Sequence, residues 1–426
     1  MSALPIKSLF TPEVTRQELI DSYQRIRNNS EEICLRLCMD DYQIQSIMET
    51  SPPKWHLAHV TWFFETFVLK DFIPGYLPCN ATYNYLFNSY YQTIGAMQAR
   101  AKRDVLSRPT VEEVYQYRLD IDERMVELLT TLDESQWQEV VSTVLLGLNH
   151  EQQHQELLFM DIKHNLWSNP LRPSYLDSRP QDSQDMEPFV ELSWENRKQG
   201  LVKIGRDNDG FAFDNERPEH KVWLEPHKLS SRLITNAEFL DFIEDKGYQR
   251  PELWLSDGWN HIGKNQWKSP LYWEKQNGKW HEFTLYGLET LNPSVPVSHV
   301  SYYEADAFAN WAGKRLPLEA ELETKLLELP IEGHFSDSGI YHPQAGISQH
   351  YGSLWEWTGS PYIRYPGFKP LPGSMGEYNG KFMCNQWVLR GGSCVTSLSH
   401  IRPTYRNFFY AHDRWQFSGI RLAEDL

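Results

Sequence analysis

Apolar residues along the first ~165 positions recur at mixed three- and four-residue spacings, the period that puts them on one face of a helix. From Glu18 to Leu37 they are Leu19, Ile20, Tyr23, Ile26, Ile33 and Leu37. Ser51-Pro52-Pro53 reads as a helix start, because proline fits the first turn, and Trp55 to Leu69 follows with an apolar face. Thr110 to Leu129 opens on Thr-Val-Glu-Glu, a capping sequence, ahead of Val114, Tyr117, Ile121, Met125 and Leu128. Trp137 to His164 makes a fourth helical stretch with no internal proline. Four helices, with a long insertion between the second and third, predict a four-helix bundle.

The pattern changes at Asn169. Pro170, Pro173, Pro180 and Pro188, among Ser, Asp and Gln, carry neither period and read as a linker over 169–188. Beyond it come short strands, Gly/Pro/Asn turns and many tryptophans. Val202 to Gly205 and His220 to Leu224 alternate as strands do. Two helices are embedded there, Asn236 to Asp245 and Ser301 to Gly313, the second with Ala305, Phe308, Ala309 and Ala312 on one face. The prediction is a multidomain α and α+β chain: a helical bundle over 1–168, the linker, and a loop-rich domain over 189–426.

Charge narrows the function classes. Lys and Arg number 41 against 57 Asp and Glu, a net charge of −16, which argues against a nucleic-acid partner. No apolar run approaches the roughly 18–20 residues that span a bilayer, so no membrane partner is expected. Met1 to Val14 lacks a signal-peptide pattern, and the expectation is a cytoplasmic protein. The five cysteines are odd in number and include no CxxC pair. Cys34 and Cys38, one helical turn apart, read as packing thiols rather than chelators.

His150-Glu151-Gln152-Gln153-His154 is the sharpest local signal. Residues four apart share a helix face, so His150 and His154 can reach one metal ion. A third ligand is expected from His56-Leu57-Ala58-His59 on the second helix. His59 is preferred and His56 is the alternative, with only one of the two pointing fully inward. The segment is also H-E-x-x-H, in which Glu151 would be the general base of a zinc protease. The extended protease form needs Gly and His where Leu157 and Met160 stand. A downstream glutamate ligand is no better supplied, since Glu187 and Glu191 lie in or beyond the linker. Solvated surface histidines are the bland alternative. Three neutral imidazoles leave open positions on zinc or on iron(II), and ligand type alone does not choose between them.

Five motifs then follow in order: Pro296-Val297-Ser298-His299-Val300-Ser301, Trp311-Ala312-Gly313-Lys314-Arg315-Leu316-Pro317, Gly352-Ser353-Leu354-Trp355-Glu356-Trp357, Leu389-Arg390-Gly391-Gly392-Ser393 and Gly419-Ile420-Arg421-Leu422. This series resembles the formylglycine-generating-enzyme (sulfatase-modifying factor) domain, a variant of the C-type-lectin fold. The first half, with histidines on two helices of a bundle, resembles a DinB-like metal-binding domain. Together, in this order, the two halves resemble the ergothioneine-type sulfoxide synthase (EgtB) family over nearly the whole chain.

The resemblance implies nonheme iron(II), Fe(2+), on His59, His150 and His154. It implies small-molecule partners: a cysteine-type thiol, N-α-trimethylhistidine (hercynine) and dioxygen, which together yield a sulfoxide joined at imidazole C2. Gln153 falls where the family contacts the histidine substrate, and Asn407 matches a position lining the trimethylammonium pocket. Phe408, Phe409 and Trp415 suit a quaternary ammonium through cation–π contact. Members that use γ-glutamylcysteine have Asn-Trp-Asp here and an arginine shortly after. This chain has Asn407-Phe408-Phe409 and Asp413, which favours free cysteine. The family's catalytic tyrosine has only Tyr378 as a loose counterpart. Asn88-Ser89-Tyr90-Tyr91 instead resembles the cysteine-using subgroup, in which a paired tyrosine faces the iron. One of Tyr90 and Tyr91, with Tyr91 favoured, would supply a proton, or a proton and an electron, that steers oxidation toward C–S coupling. Arg100 and Arg103 would clamp the cysteine carboxylate.

Three other functions stay in view. An ovothiol-type synthase would couple cysteine to unmethylated histidine, but its members typically carry a further methyltransferase, and none follows Arg421-Leu422 here. A lectin-like module would only bind ligands. Formylglycine generation needs a thiol pair that Cys384 and Cys394 do not clearly supply.

Overall fold

The helices form where the periodicity places them, and their ends follow capping chemistry. The computed structural model describes residues 14–180, 190–207, 210–346 and 350–426. Helix α1 (Arg16–Cys34) begins where Thr15 and Glu18 close a reciprocal cap, and it stops short of the expected Leu37. Helix α2 (Pro53–Phe64) opens with proline in its first turn. It runs through a π-turn (Glu65–Leu69) into the short α3 (Lys70–Phe72). In the insertion lie α4 (Tyr83–Phe87) and a 3-10 turn (Arg100–Val105). Helix α5 (Val111–Thr131) starts at the Thr110–Glu113 capping box, and α6 (Glu134–Ser168) is 35 residues long.

One expectation is corrected. Helix α2 does not carry a single apolar face, because every residue from Pro53 to Phe64 is buried. It packs against α1, α5 and α6 together. A helix enclosed on all sides has no polar stripe to read. Its buried Lys54, His56, His59 and Thr61 must therefore find partners inside the bundle. The approach of α6 to α2 depends on Gly147, where a Cβ would sit 2.5 Å from the Phe64 ring.

The chain forms two compact units. The first comprises the residues through Ser168 together with Asp207–Asp214 and Lys369–Lys381, and the second holds the rest. In the second, β1 (Trp194–Arg197), β4 (His227–Ser230) and β12 (Ala423–Asp425) make one sheet, with β4 central. Strands β2 (Gly200–Ile204) and β3 (His220–Leu224) pair antiparallel. A three-stranded meander joins β5 (Trp273–Gln276), β6 (Lys279–Thr284) and β7 (Gly287–Thr290). The fourth sheet has the order β10-β9-β8-β11, from β8 (Trp355–Pro361), β9 (Gln386–Arg390), β10 (Asn407–Tyr410) and β11 (Ser418–Gly419).

Helices α7 (Asn236–Glu244) and α9 (Tyr302–Trp311) match the two embedded helices read from sequence, while α8 (Ser256–Asn265) and α10 (Glu319–Leu326) add to them. The segment 169–180 has no helix or strand, yet Tyr175 is buried and its N–H bonds to the Leu285 carbonyl. The rest of the linker reading, with Glu187 and Pro188, lies outside the described residues, as does Met1 to Glu13. Among the described residues no helix is long and apolar enough to cross a membrane.

Candidate metal centre

Two facing helices put the imidazoles together. His59 on α2 meets His150 and His154 on α6, and one ring nitrogen from each lies within 4.8 Å of the others. Nε2 of His59 is 3.2 Å from Nε2 of His150. The His59 ring is stacked between Trp55 and Trp62, at 4.5 and 5.7 Å, because residues four before and three after share its helix face. Phe63 packs on His150 at 5.0 Å.

The expectation that only one of His56 and His59 turns inward is corrected: both are buried. Nδ1 of His56 lies 2.7 Å from Nδ1 of His154, and its Nε2 lies 3.0 Å from Asp161 Oδ2. His56 therefore stands behind the trio rather than in it.

The donor set fits a metal ion. Burial, reinforced by the neighbouring His150, holds His59 well below the usual imidazole range. Burial likewise lowers His154 and pushes His150 down to about 3. All three are thus neutral at pH 7, the form that offers a lone pair. His59 Nδ1 bonds to the Phe87 carbonyl at 2.5 Å, which fixes its proton there and leaves the lone pair on Nε2. His150 Nδ1 has no hydrogen-bond partner among the described residues.

Glu151 is not a general base. Its carboxylate accepts from Arg27 Nη1 at 2.9 Å, Arg118 Nη2 at 3.1 Å and Ser30 Oγ at 2.7 Å, on the α1 and α5 side of α6. The two guanidiniums outweigh burial and keep its pKa below the usual glutamate value. The H-E-x-x-H reading fails on that geometry.

The paired tyrosines divide. The Tyr90 hydroxyl is 3.4 Å from His150 Nε2. Tyr91, fully buried, packs its ring on Tyr90 at 4.8 Å and on Phe67 at 4.8 Å. Burial raises both phenols above their ordinary value, so each keeps its proton. The preference for Tyr91 is not what this geometry supports, since the hydroxyl that reaches the His150 ring belongs to Tyr90.

Tyr378, the loose candidate, comes to the same place. It belongs to the first unit, stacks on Phe213 at 5.5 Å, meets the His150 ring at 5.5 Å, and its hydroxyl donates to Gln153 Oε1. Glu377 secures this stretch, accepting from the N–H groups of Gln92 at 3.0 Å and Thr93 at 2.9 Å. Against desolvation, the Thr93 hydroxyl, which donates at 2.6 Å, together with those N–H bonds depresses Glu377 to about 2.

The two arginines behave differently. Arg103 is 3% exposed, lies 3.4 Å over the Trp55 ring, and donates to Ser51 Oγ at 2.8 Å and Ser89 Oγ at 3.0 Å. Among the described residues no carboxylate is within ion-pair distance of its guanidinium. Arg100 is exposed and donates to the Glu49 carbonyl.

In the second unit, Asn407, Phe408 and Phe409 follow one another on β10, so Phe408 faces opposite to the other two. Phe408 stacks on Tyr362 at 4.1 Å, whereas Phe409 meets Trp415 edge-on at 5.6 Å. The three aromatic rings expected around a cation therefore do not close one cage. Asp413 accepts from the Tyr410 N–H at 2.9 Å and closes the turn after β10. Cys384 is exposed, Cys394 is buried, and both are free thiols.

Asp161 was not singled out by the sequence reading. Its signal was available: seven residues past His154 is two helical turns, on the same face. Nothing local could have brought in Tyr378, 225 residues from Gln153.

Comparison with known proteins finds two family matches along the chain. Residues 178–325 and 334–426 match the sulfatase-modifying factor enzyme 1-like domain, and residues 22–158 match the DinB superfamily. The chain is 29% identical over 416 residues to a hercynine oxygenase of Mycolicibacterium smegmatis, covering 88% of this chain and 91% of that one. It is 29% identical over 408 residues to a hercynine oxygenase of Mycobacterium tuberculosis, with the same coverage. Ergothioneine biosynthesis protein 1 of Schizosaccharomyces pombe matches at 29% over 233 residues, half of this chain and 28% of that protein. With the domain match spanning more than half of its length, this chain belongs to the sulfatase-modifying factor enzyme 1-like family, as a member of the EgtB type in which a DinB-superfamily domain comes first.

Proposed function

We propose that this chain is a hercynine oxygenase: an iron(II)- and dioxygen-dependent sulfoxide synthase that joins the sulfur of cysteine to C2 of the imidazole of N-α-trimethylhistidine. The observation that carries it is the convergence of His59, His150 and His154 in one buried centre, in a chain that matches hercynine oxygenases over 88% of its length. His59, His150 and His154 would hold the metal, which when bound supplies dioxygen activation. The reaction balances without an external reductant. The S–H and C2–H hydrogens leave with one oxygen atom as water, and the other oxygen atom stays on sulfur.

The residues around the centre have separable tasks. Tyr90 keeps its proton because desolvation raises its phenol, and its hydroxyl sits beside His150, where it can deliver that proton, or a hydrogen atom, during coupling. Tyr378 orients the amide of Gln153 by donating to its oxygen, and Gln153 is assigned to the substrate imidazole. Arg103 is a buried cation in need of an anion, and the carboxylate of the sulfur donor meets that need, with Arg100 on the exposed side of the same turn. Asn407, Phe409 and Trp415 are assigned to the trimethylammonium group, and Phe408, on the other strand face, to packing under it. Asp413 closes a turn at the position where the resemblance expects an arginine for a glutamyl carboxylate, which supports free cysteine as donor.

The test is competition. Iron-loaded protein given trimethylhistidine with equal cysteine and γ-glutamylcysteine is expected to form the cysteine adduct in excess. A preference for γ-glutamylcysteine overturns the donor assignment, and no coupled product from either overturns the function.

A further inference from the structure

Behind His154 a carboxylate and a second imidazole are lined up, and neither is in the metal trio. Asp161 lies two turns beyond His154 on α6, and His56 lies one turn before His59 on α2. The two helices thus oppose His56 to His154 as well as His59 to His150. Asp161 Oδ2 accepts from the Ser51 N–H at 2.8 Å and meets His56 Nε2 at 3.0 Å. That oxygen already serves as an acceptor for the Ser51 N–H, and the same role toward His56 puts the imidazole proton at Nε2. Nδ1 of a neutral His56 is then an acceptor, and the short contact at 2.7 Å puts the shared proton on Nδ1 of His154. That leaves the lone pair of His154 on Nε2, the tautomer that can bind a metal. With the proton reversed, Nε2 would carry the hydrogen and have no lone pair to offer.

We infer that Asp161 and His56 are positioning residues for the metal centre, a buried Asp161–His56–His154 relay that sets the tautomer and ring orientation of one ligand and raises its donor strength. This inference rests on the proposed function only in taking the trio as a metal site. The three ligands are then unequal: His154 is backed by a relayed carboxylate, His59 by the Phe87 carbonyl, and His150 Nδ1 by no partner among the described residues. Groups that orient a metal-bound imidazole are typically worth ~10–100-fold in metal affinity.

The experiment uses the full chain loaded with cobalt(II), read by dissociation constant and by the visible ligand-field bands, with circular dichroism as the check on folding. His56→Leu removes the acceptor and is expected to weaken cobalt by ~10–100-fold and shift the bands. His56→Asn, whose amide oxygen can accept near the position of Nδ1, is expected to recover part of both. Asp161→Asn keeps the imidazole in place, removes the charge, and is expected to shift the bands in the same direction by less. Wild-type affinity and bands in His56→Leu overturn the inference. Equal losses in His56→Leu and His56→Asn also overturn it, because they assign the effect to packing. Should His56→Leu fail to fold, unchanged bands in both His56→Asn and Asp161→Asn overturn it. Failure of the wild-type chain to bind cobalt(II) or iron(II) would instead remove the metal reading on which it stands.

Discussion

Oε2 of Glu151 lies 2.9 Å from Nη1 of Arg27, so the residue immediately after His150 is tied to a different helix from the one its neighbour faces. Breaking a buried ion pair from one side leaves an uncompensated charge, at a cost of ~3–5 kcal/mol. Glu151→Gln is therefore expected to destabilise the metal-free protein by about 3 kcal/mol in denaturant unfolding. Unchanged stability with lost activity would give Glu151 a chemical role instead.

The same contacts set an acid limb to stability. Glu151 is held below its unfolded value of about 4.3, so its contribution is present above that pH and is lost as pH falls through the folded value. The buried His59, His150 and His154 are also depressed, from about 6.5 when unfolded, so protons bind the unfolded chain more readily below that pH. Metal-free protein is expected to lose stability from about pH 6.5 downward, and more steeply below about 4.3. Stability that is flat between pH 7 and 4 would contradict the burial of these groups.

Tyr90→Phe removes the one hydroxyl of the pair that reaches His150. It is expected to lower kcat for coupling by ~100-fold while leaving the KM for cysteine within a few-fold. Tyr91→Phe, which keeps the packing ring, is expected to change kcat little. The reverse order, read by steady-state product formation, would return the role to Tyr91.

Arg103→Lys retains charge but loses the planar fork and the stacking on Trp55. A lost charge-assisted hydrogen bond is worth about 1.5–3 kcal/mol, so the KM for cysteine is expected to rise by ~10–100-fold. An unchanged KM would show that the carboxylate binds elsewhere.

Legibility in the sequence tracked the range of the interactions. His150 and His154 were readable because a four-residue spacing makes them neighbours on any helix, and Thr110 with Glu113 marked a helix start because capping is local. Helix α2 was read with one apolar face because a periodicity argument assumes a solvent side, and Pro53–Phe64 has none. Tyr378 enters only as a loose counterpart through the resemblance, because its place beside His150 is set by Glu377 holding the backbone of Gln92 and Thr93, a contact across some 285 residues. On β10 the residues were read as one group, but strand alternation separates Phe408 from Phe409.

The central claim is tested most directly by a single reaction. Iron(II)-loaded protein is given cysteine and trimethylhistidine, opened to 18O-labelled dioxygen, and the product is weighed by mass spectrometry. The account predicts one species equal to both substrates joined, less two hydrogens, with one labelled oxygen. Oxidised cysteine alone, or a joined product carrying no label, would contradict it.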